Sequence, residues 1–139
     1  MEKIVMKTSY TDTGFCCMCN LLPGWTTSGS KDFRKFDVFV KDSIGFYIEC
    51  AKKDGDEYPS VFDGAYELEY QFDIRALLNY YQRILPFSGL QLITGIDQKQ
   101  LAHYAAGRKQ PRTSRAKHIE HCLHKFAEEL QEVNVWISN

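Results

Sequence analysis

The sequence predicts an α+β chain in two parts: a small β-β-β-α-β domain over residues 1–72 and an all-α helix-turn-helix domain over 73–139. Three observations lead there. Strand patterns occupy 2–10, 14–22 and about 65–72, and a helical period fills 31–53 between them. From Asp73 onward every apolar pattern is helical, punctuated by capping residues and glycines. Charge divides at nearly the same place. Met1 to Phe87 holds ten Lys and Arg against thirteen Asp and Glu, a balance of −3, and Ser88 to Asn139 holds seven against five, a balance of +2. An acidic front and a basic back imply different partners.

Size and composition bound the rest. A chain of 139 residues makes one ordinary domain or two small ones. With 44% apolar and 14% aromatic residues it has the composition of a folded chain. No apolar run is long enough to cross a bilayer. The opening "MEKIVMKTSY" lacks the apolar core and cleavage site of a signal peptide, so a cytoplasmic location is expected. Five cysteines, an odd number, agree with that.

The elements follow in order. The turn "TDTG" joins strands 2–10 and 14–22 through Asp12 and Gly14. In "FCCMCN", Cys17 and Cys19 share a strand face and Cys16 points the other way. Zinc sites pair Cys-x-x-Cys with a second pair. Cys50 and Cys122 are singletons in predicted helices, so the cluster reads as small apolar filling of a buried strand. Pro23-Gly24 marks a turn, and 25–27 suits a short third strand. Ser30 is the expected N-cap of a helix with Phe33, Phe36, Val40, Ile44, Tyr47, Ile48 and Ala51 at helical spacing and Gly55 past its end. Asp32 then falls in its first turn, favoured by the helix dipole. A polar loop, "DGDEYPSVFDG", precedes the strand "AYELEYQF".

In the second part Asp73 caps a helix with Ile74, Leu77, Leu78, Tyr81, Ile84 and Leu85 in one stripe, stopped by Pro86. Ser88 is expected to cap a short helix over 89–94, and Gly95 turns the chain. Asp97 caps the next helix, with Gln100 completing a capping-box pattern, and Gly107 ends it. A last helix over about 114–133 aligns Ile119, Cys122, Leu123, Phe126, Leu130 and Val133.

The charge-dense window "TGIDQKQLAHYAAGRKQPRTSRAKH" then gains a meaning. It gathers Lys99, Arg108, Lys109, Arg112, Arg115 and Lys117 against one acid, Asp97. Two short helices joined by a Gly-containing turn are a helix-turn-helix pattern. Leu90, Ile96, Leu101 and Tyr104 are spaced to lock the pair. The second helix would expose Gln98, Lys99, Gln100 and His103. Gln bonds adenine bidentately and Lys bonds guanine in the major groove. Arg108, Lys109, Arg112 and Arg115 then lie where phosphates would pass. A merely solvated basic face is the plain alternative.

The stretch "SGLQLITGIDQKQLAHYAAGRKQPRTSRAKHIEHCLHKFAEEL" resembles the helix-turn-helix of HicB-type antitoxins and, more loosely, of phage repressors. The front half, with its turn at "TDTG", then "LPGWTTSGS" and a long helix, is similar to the HicB N-terminal domain, a partial RNase H-like fold. The resemblance covers nearly the whole chain. Departures from it fall at Gln91, where such motifs often carry a small residue, at the polar Thr94, and in the long loop 54–64. It implies an antitoxin that neutralises a HicA-like mRNA-cleaving toxin through the front domain and represses its own operon by binding operator DNA through the back. An acidic front suits a basic RNA-binding partner, and a basic back suits phosphates. A stand-alone transcriptional regulator with a sensing or dimerising front domain is the alternative.

An enzyme reading is weaker. A nuclease site of the RNase H type needs converging carboxylates. The candidates are Asp12, Glu67, Glu69 and Asp73, with Asp12 in a turn and no acid at a strand centre opposite the glutamates. His118, His121 and His124 are helix neighbours but lack a partner at ligand spacing, and His118 suits a phosphate donor better. No catalysis, metal or cofactor is expected. A homodimer or higher oligomer is, because one helix-turn-helix reads one half-site. The apolar tail "VNVWIS" can pack across a two-fold axis or back on its own domain.

Overall fold

In the computed structural model, which describes residues 1–138, the chain is α+β, with a four-stranded sheet and five α-helices among the described residues. It divides into two compact units, Met1–Tyr80 and the remainder from Tyr81.

The first unit is built on alternation. Strand β1 (Glu2–Thr11) buries Ile4, Met6 and Thr8 and exposes Lys3, Val5 and Lys7. It pairs antiparallel with β2 (Gly14–Met18), which pairs antiparallel with β3 (Thr26–Ser28). On its other side β1 runs parallel to β4 (Tyr66–Phe72), setting Ile4 beside Leu68 and Met6 beside Tyr70. The order is β3-β2-β1-β4. A parallel pair needs a crossover, and helix α1 (Phe33–Asp54) supplies it, burying Phe36, Val40, Ile44 and Ile48 in the same core as the sheet. Phe33 stands edge-on to Phe15, Tyr70 and Tyr80, with ring centroids 5.2, 5.0 and 4.9 Å apart. Such pairs add to simple burial.

Gly14 is required where it stands. Its φ is +123°, and a Cβ there would come within 2.5 Å of the Ser30 carbonyl carbon. The close approach lets the Phe15 amide donate to the Ser30 carbonyl at 3.2 Å and the Gly29 amide to the Phe15 carbonyl at 2.9 Å.

Several expectations are corrected. The second strand stops at Met18, because Cys19–Trp25 folds into successive turns that bury Leu22 and Trp25. The N-cap of α1 is Asp32, whose carboxylate accepts from the Arg34 and Lys35 amides, while the Ser30 hydroxyl accepts from the Asp32 amide one step earlier. The loop after α1 holds a 3-10 turn, Ser60–Asp63, with Phe62 edge-on to Tyr66. Helix α2 (Ile74–Tyr81) ends four residues before Leu85: the Ile84 and Leu85 amides both close onto the Tyr81 carbonyl, at 2.9 and 2.7 Å, in a final turn that Pro86, with no N–H, cannot extend. Asp73 does cap it, accepting from the Ala76 amide at 2.9 Å.

The division also falls later than residue 72. Ala76 is fully buried in the first core, and Tyr80 packs on Phe33 and Phe72, so α2 closes the first unit. Redrawn at Tyr81, the first unit carries nine Lys and Arg against thirteen Asp and Glu, a balance of −4, and the second eight against five, a balance of +3.

The second unit holds α3 (Phe87–Thr94), α4 (Gln98–Ala106) and α5 (Thr113–Gln131), with α3 packed on both others. Leu90, Ile96, Leu101 and Ile119 are buried to 4% exposure or less. Pro86, not Ser88, occupies the N-cap of α3; it caps through extended backbone alone, with no side-chain bond.

Candidate nucleic-acid interface

The turn between α3 and α4 is fixed by hydrogen bonds that close on each other. Gly95 adopts φ 75°, a left-handed conformation that glycine takes without steric cost, and its amide donates to the Gln91 carbonyl at 2.8 Å. The buried Thr94 hydroxyl donates to the Leu90 carbonyl at 2.7 Å and accepts from the Ile96 amide at 3.2 Å. Its polarity is therefore satisfied inside the core. The Gln91 amide oxygen accepts from the Gln98 amide at 2.9 Å, and Asp97 accepts from the Lys99 amide at 3.2 Å. Together they satisfy two of the N–H groups that a helix start leaves without a partner. The residues that departed from the repressor pattern, Gln91 and Thr94, are the ones that build this turn.

From α5, the His118 imidazole Nε2 lies 2.8 Å from the Thr94 carbonyl, at the C-terminal end of α3. Its Nε2 is also 3.5 Å from the Cys122 thiol. His118 is thus a brace within the unit rather than a free phosphate donor.

Leu101 and Tyr104 turn inward, at 0% and 5% exposure, and Ala105 joins them. Gln98 and Lys99, in the first turn of α4, are both exposed; Lys99 lies on the face opposite Leu101, with His103 half-buried beside it. Ala102 and Ala106 lie between and beside them, a low-relief strip that pattern reading passed over because alanine carries no polar group. Gln100 differs from expectation. It is half-buried, and its amide nitrogen donates to the Tyr104 hydroxyl at 3.0 Å; its side-chain oxygen does not accept from the Asp97 amide, so no capping box forms and the side chain is engaged.

Beyond α4 the chain reverses at Gly107, φ 77°, and the Gly107 and Arg108 amides converge on the His103 carbonyl. Arg108 and Lys109 follow, exposed. Arg112 sits at the N-cap of α5 with no side-chain cap, and Arg115 lies in its first turn, exposed. Among the described residues, none of Lys99, Arg108, Lys109, Arg112 and Arg115 has an ion-pair partner; the one ion pair of this stretch joins Lys117 to Glu120 at 3.4 Å.

The first unit brings no comparable chemistry together. Asp12 accepts from the Arg75 guanidinium at 3.0 Å, Asp73 accepts from the Ser9 hydroxyl, and Glu67 lies 4.0 Å from Lys3. Among the described residues no three His, Cys, Asp or Glu side chains are placed to hold a metal ion. Cys17 and Cys19 are free thiols buried in the core, and burial pushes the Cys17 thiol up to about 12. No helix among the described residues is long and apolar enough to cross a membrane.

Compared with known proteins, the chain matches no family model, no curated protein and no solved structure.

Proposed function

We propose that the chain is a DNA-binding repressor of the antitoxin type, with a HicB-like front domain that neutralises a basic, HicA-like RNA-cleaving toxin. One observation carries the DNA part: a turn-joined helix pair exposes Gln98 and Lys99 in the first turn of its second helix, followed by four cations without ion-pair partners among the described residues. In this reading α4 enters the major groove. Gln98 and Lys99 read base edges, Ala102 and Ala106 let the helix lie close and touch thymine methyls, and His103 reaches the flank. Arg108, Lys109, Arg112 and Arg115 neutralise phosphates and fix the register. Gln100 contributes only if it leaves Tyr104.

The antitoxin part rests on the resemblance and on charge. Three antiparallel strands, a long helix and a fourth strand, in that order, suit a HicB-like partial RNase H fold. A unit balance of −4 suits a basic RNA-binding partner by long-range steering. The scattered carboxylates of this unit favour binding over catalysis.

Co-expression with the neighbouring open reading frame tests the partner. A small basic protein that copurifies at fixed stoichiometry, and regains RNA cleavage once stripped of this chain, is the expected result. DNA binding with no such partner would leave a stand-alone regulator.

A further inference from the structure

Strand β4 borders the sheet, because the order β3-β2-β1-β4 gives it a neighbour on one side only. Its register with β1 runs unbroken from Tyr66 to Phe72, with no bulge and no proline, whereas the opposite border, β3, is three residues long. The Asp73 amide donates to the Thr8 carbonyl at 3.0 Å, toward β1. Backbone groups alternate sides along a strand, so those of Leu68 and Tyr70 point the other way, out from the border. Among the described residues no other segment meets them with a backbone donor or acceptor. The side chains are incompletely covered in the same place. Ile4 and Met6 on β1 are 1% and 0% exposed, while their neighbours Leu68 and Tyr70, on the same face of the sheet, are only half-buried. Glu67 and Glu69 alternate with them on the outer face, exposed. A long, regular border of this kind is a template for an added strand.

We propose that β4 receives an extended segment of the basic partner as a fifth strand, one in which apolar residues alternate with Lys or Arg. The apolar side chains of that segment lie beside Leu68 and Tyr70 and extend the core, and its cations lie beside Glu67 and Glu69. The glutamates also select against a second copy of this chain. An antiparallel pair of β4 strands centred on Leu68 sets Glu67 opposite Glu69, and one centred on Glu69 sets that residue opposite itself; like charges placed so destabilise the pair. Glu69 has no ion-pair partner among the described residues, and Glu67 has only Lys3, 4.0 Å away on β1. The inference rests on the reading of the first unit as the captor of a basic protein, and adds where and in what conformation that protein is held.

Amide exchange followed by nuclear magnetic resonance on the full chain tests it, with an end-capped peptide of alternating Lys and Val as the probe. The Leu68 and Tyr70 amides should exchange about tenfold more slowly, or slower still, with saturating peptide than without it. A peptide of alternating Glu and Val should bind at least about tenfold more weakly, and so should a Lys-Val peptide methylated at every backbone nitrogen, which keeps the charge but has no N–H to give. Glu67→Lys with Glu69→Lys changes exposed side chains only and should reverse the preference between the two charged peptides. Glu49→Lys, exposed on α1, makes a like change of charge away from the border and should leave both affinities near the parent's. Amides that exchange alike with and without peptide, a methylated peptide that binds as well as the unmethylated one, or a reversed variant that keeps the parent's preference would each overturn the proposal. Copurification separates it from the reading beneath it. A basic partner captured equally by the parent and by the reversed variant would overturn the added strand and leave the reading standing. Protection of Leu68 and Tyr70 by the peptide, in a chain that captures no basic protein, would support the added strand and remove the toxin.

Discussion

The Gln91 side-chain oxygen accepts the Gln98 backbone amide at 2.9 Å, so the last turns of α3 cap the first turn of α4. The bond joins the helix that would cross the DNA backbone to the one that would read the bases. Gln91→Ala should lower the unfolding free energy of the second unit by about 1 kcal/mol, the usual loss for a helix-start cap. Gln91→Glu, which keeps the acceptor, should lose less. Chemical denaturation followed by circular dichroism measures both, and an unchanged midpoint for the alanine variant would mean that the bond is not formed in solution.

Leu101 and Tyr104 differ in kind from the residues beside them. Leu101→Ala removes a fully buried side chain at the centre of the second unit and should cost about 2–5 kcal/mol. Lys99→Ala, on the exposed face, should stay within about 0.5 kcal/mol of the parent. Thermal melts of the two variants separate packing from surface.

The first unit should respond to acid through Asp37. The Tyr70 hydroxyl donates to its carboxylate at 2.6 Å and Lys41 at 2.9 Å. Burial raises this carboxyl, but the two donors lower it by more, leaving it below its ordinary 3.8. The Tyr70 hydroxyl is raised in turn, by burial and then by Asp37. A lowered folded-state value means that the stabilisation is present above about pH 4 and is lost as pH falls through the folded value. Asp37→Asn should therefore be less stable than the parent near neutrality, and the two should converge in acid. A gap that widened toward low pH would refute this assignment.

Glu67 and Glu69 point away from the core on β4. With magnesium or manganese present, the purified chain should degrade neither RNA nor DNA, and Glu67→Gln with Glu69→Gln should leave nothing to lose. Cleavage by the parent and not by the double variant would make the chain an enzyme.

Legibility in the sequence followed how local the deciding physics is. The alternation of Ile4, Met6 and Thr8 and the period of Phe36, Val40, Ile44 and Ile48 are set by burial on one face, so they could be read directly. Gly55, Gly95 and Gly107 each announce a left-handed helix end. Caps were harder where candidates compete. Ser30 and Asp32 both cap a backbone amide, two residues apart, and only the final geometry decides which begins the helix. The place of α2 was not local at all, because it depends on Tyr80 meeting rings from α1 and β4 and on Ala76 being buried in the same core. The outer face of α4 was visible, but the engagement of Gln100 by Tyr104 and the brace from His118 to Thr94 depend on side chains meeting in three dimensions.

DNA binding by α4 and the cations after it is tested most directly by fluorescence anisotropy. The duplex carries the region upstream of this chain's own coding sequence and is titrated over a salt series beside random DNA. Gln98→Ala or Lys99→Ala should cost about 1–3 kcal/mol on the upstream duplex and little on random DNA. Arg108→Ala and Lys109→Ala should weaken both duplexes alike and reduce the salt slope by about one for each phosphate that is no longer neutralised. If all four variants bound the upstream duplex as the parent does, with the same salt slope, the basic stretch would be a solvated face and the DNA reading would fall.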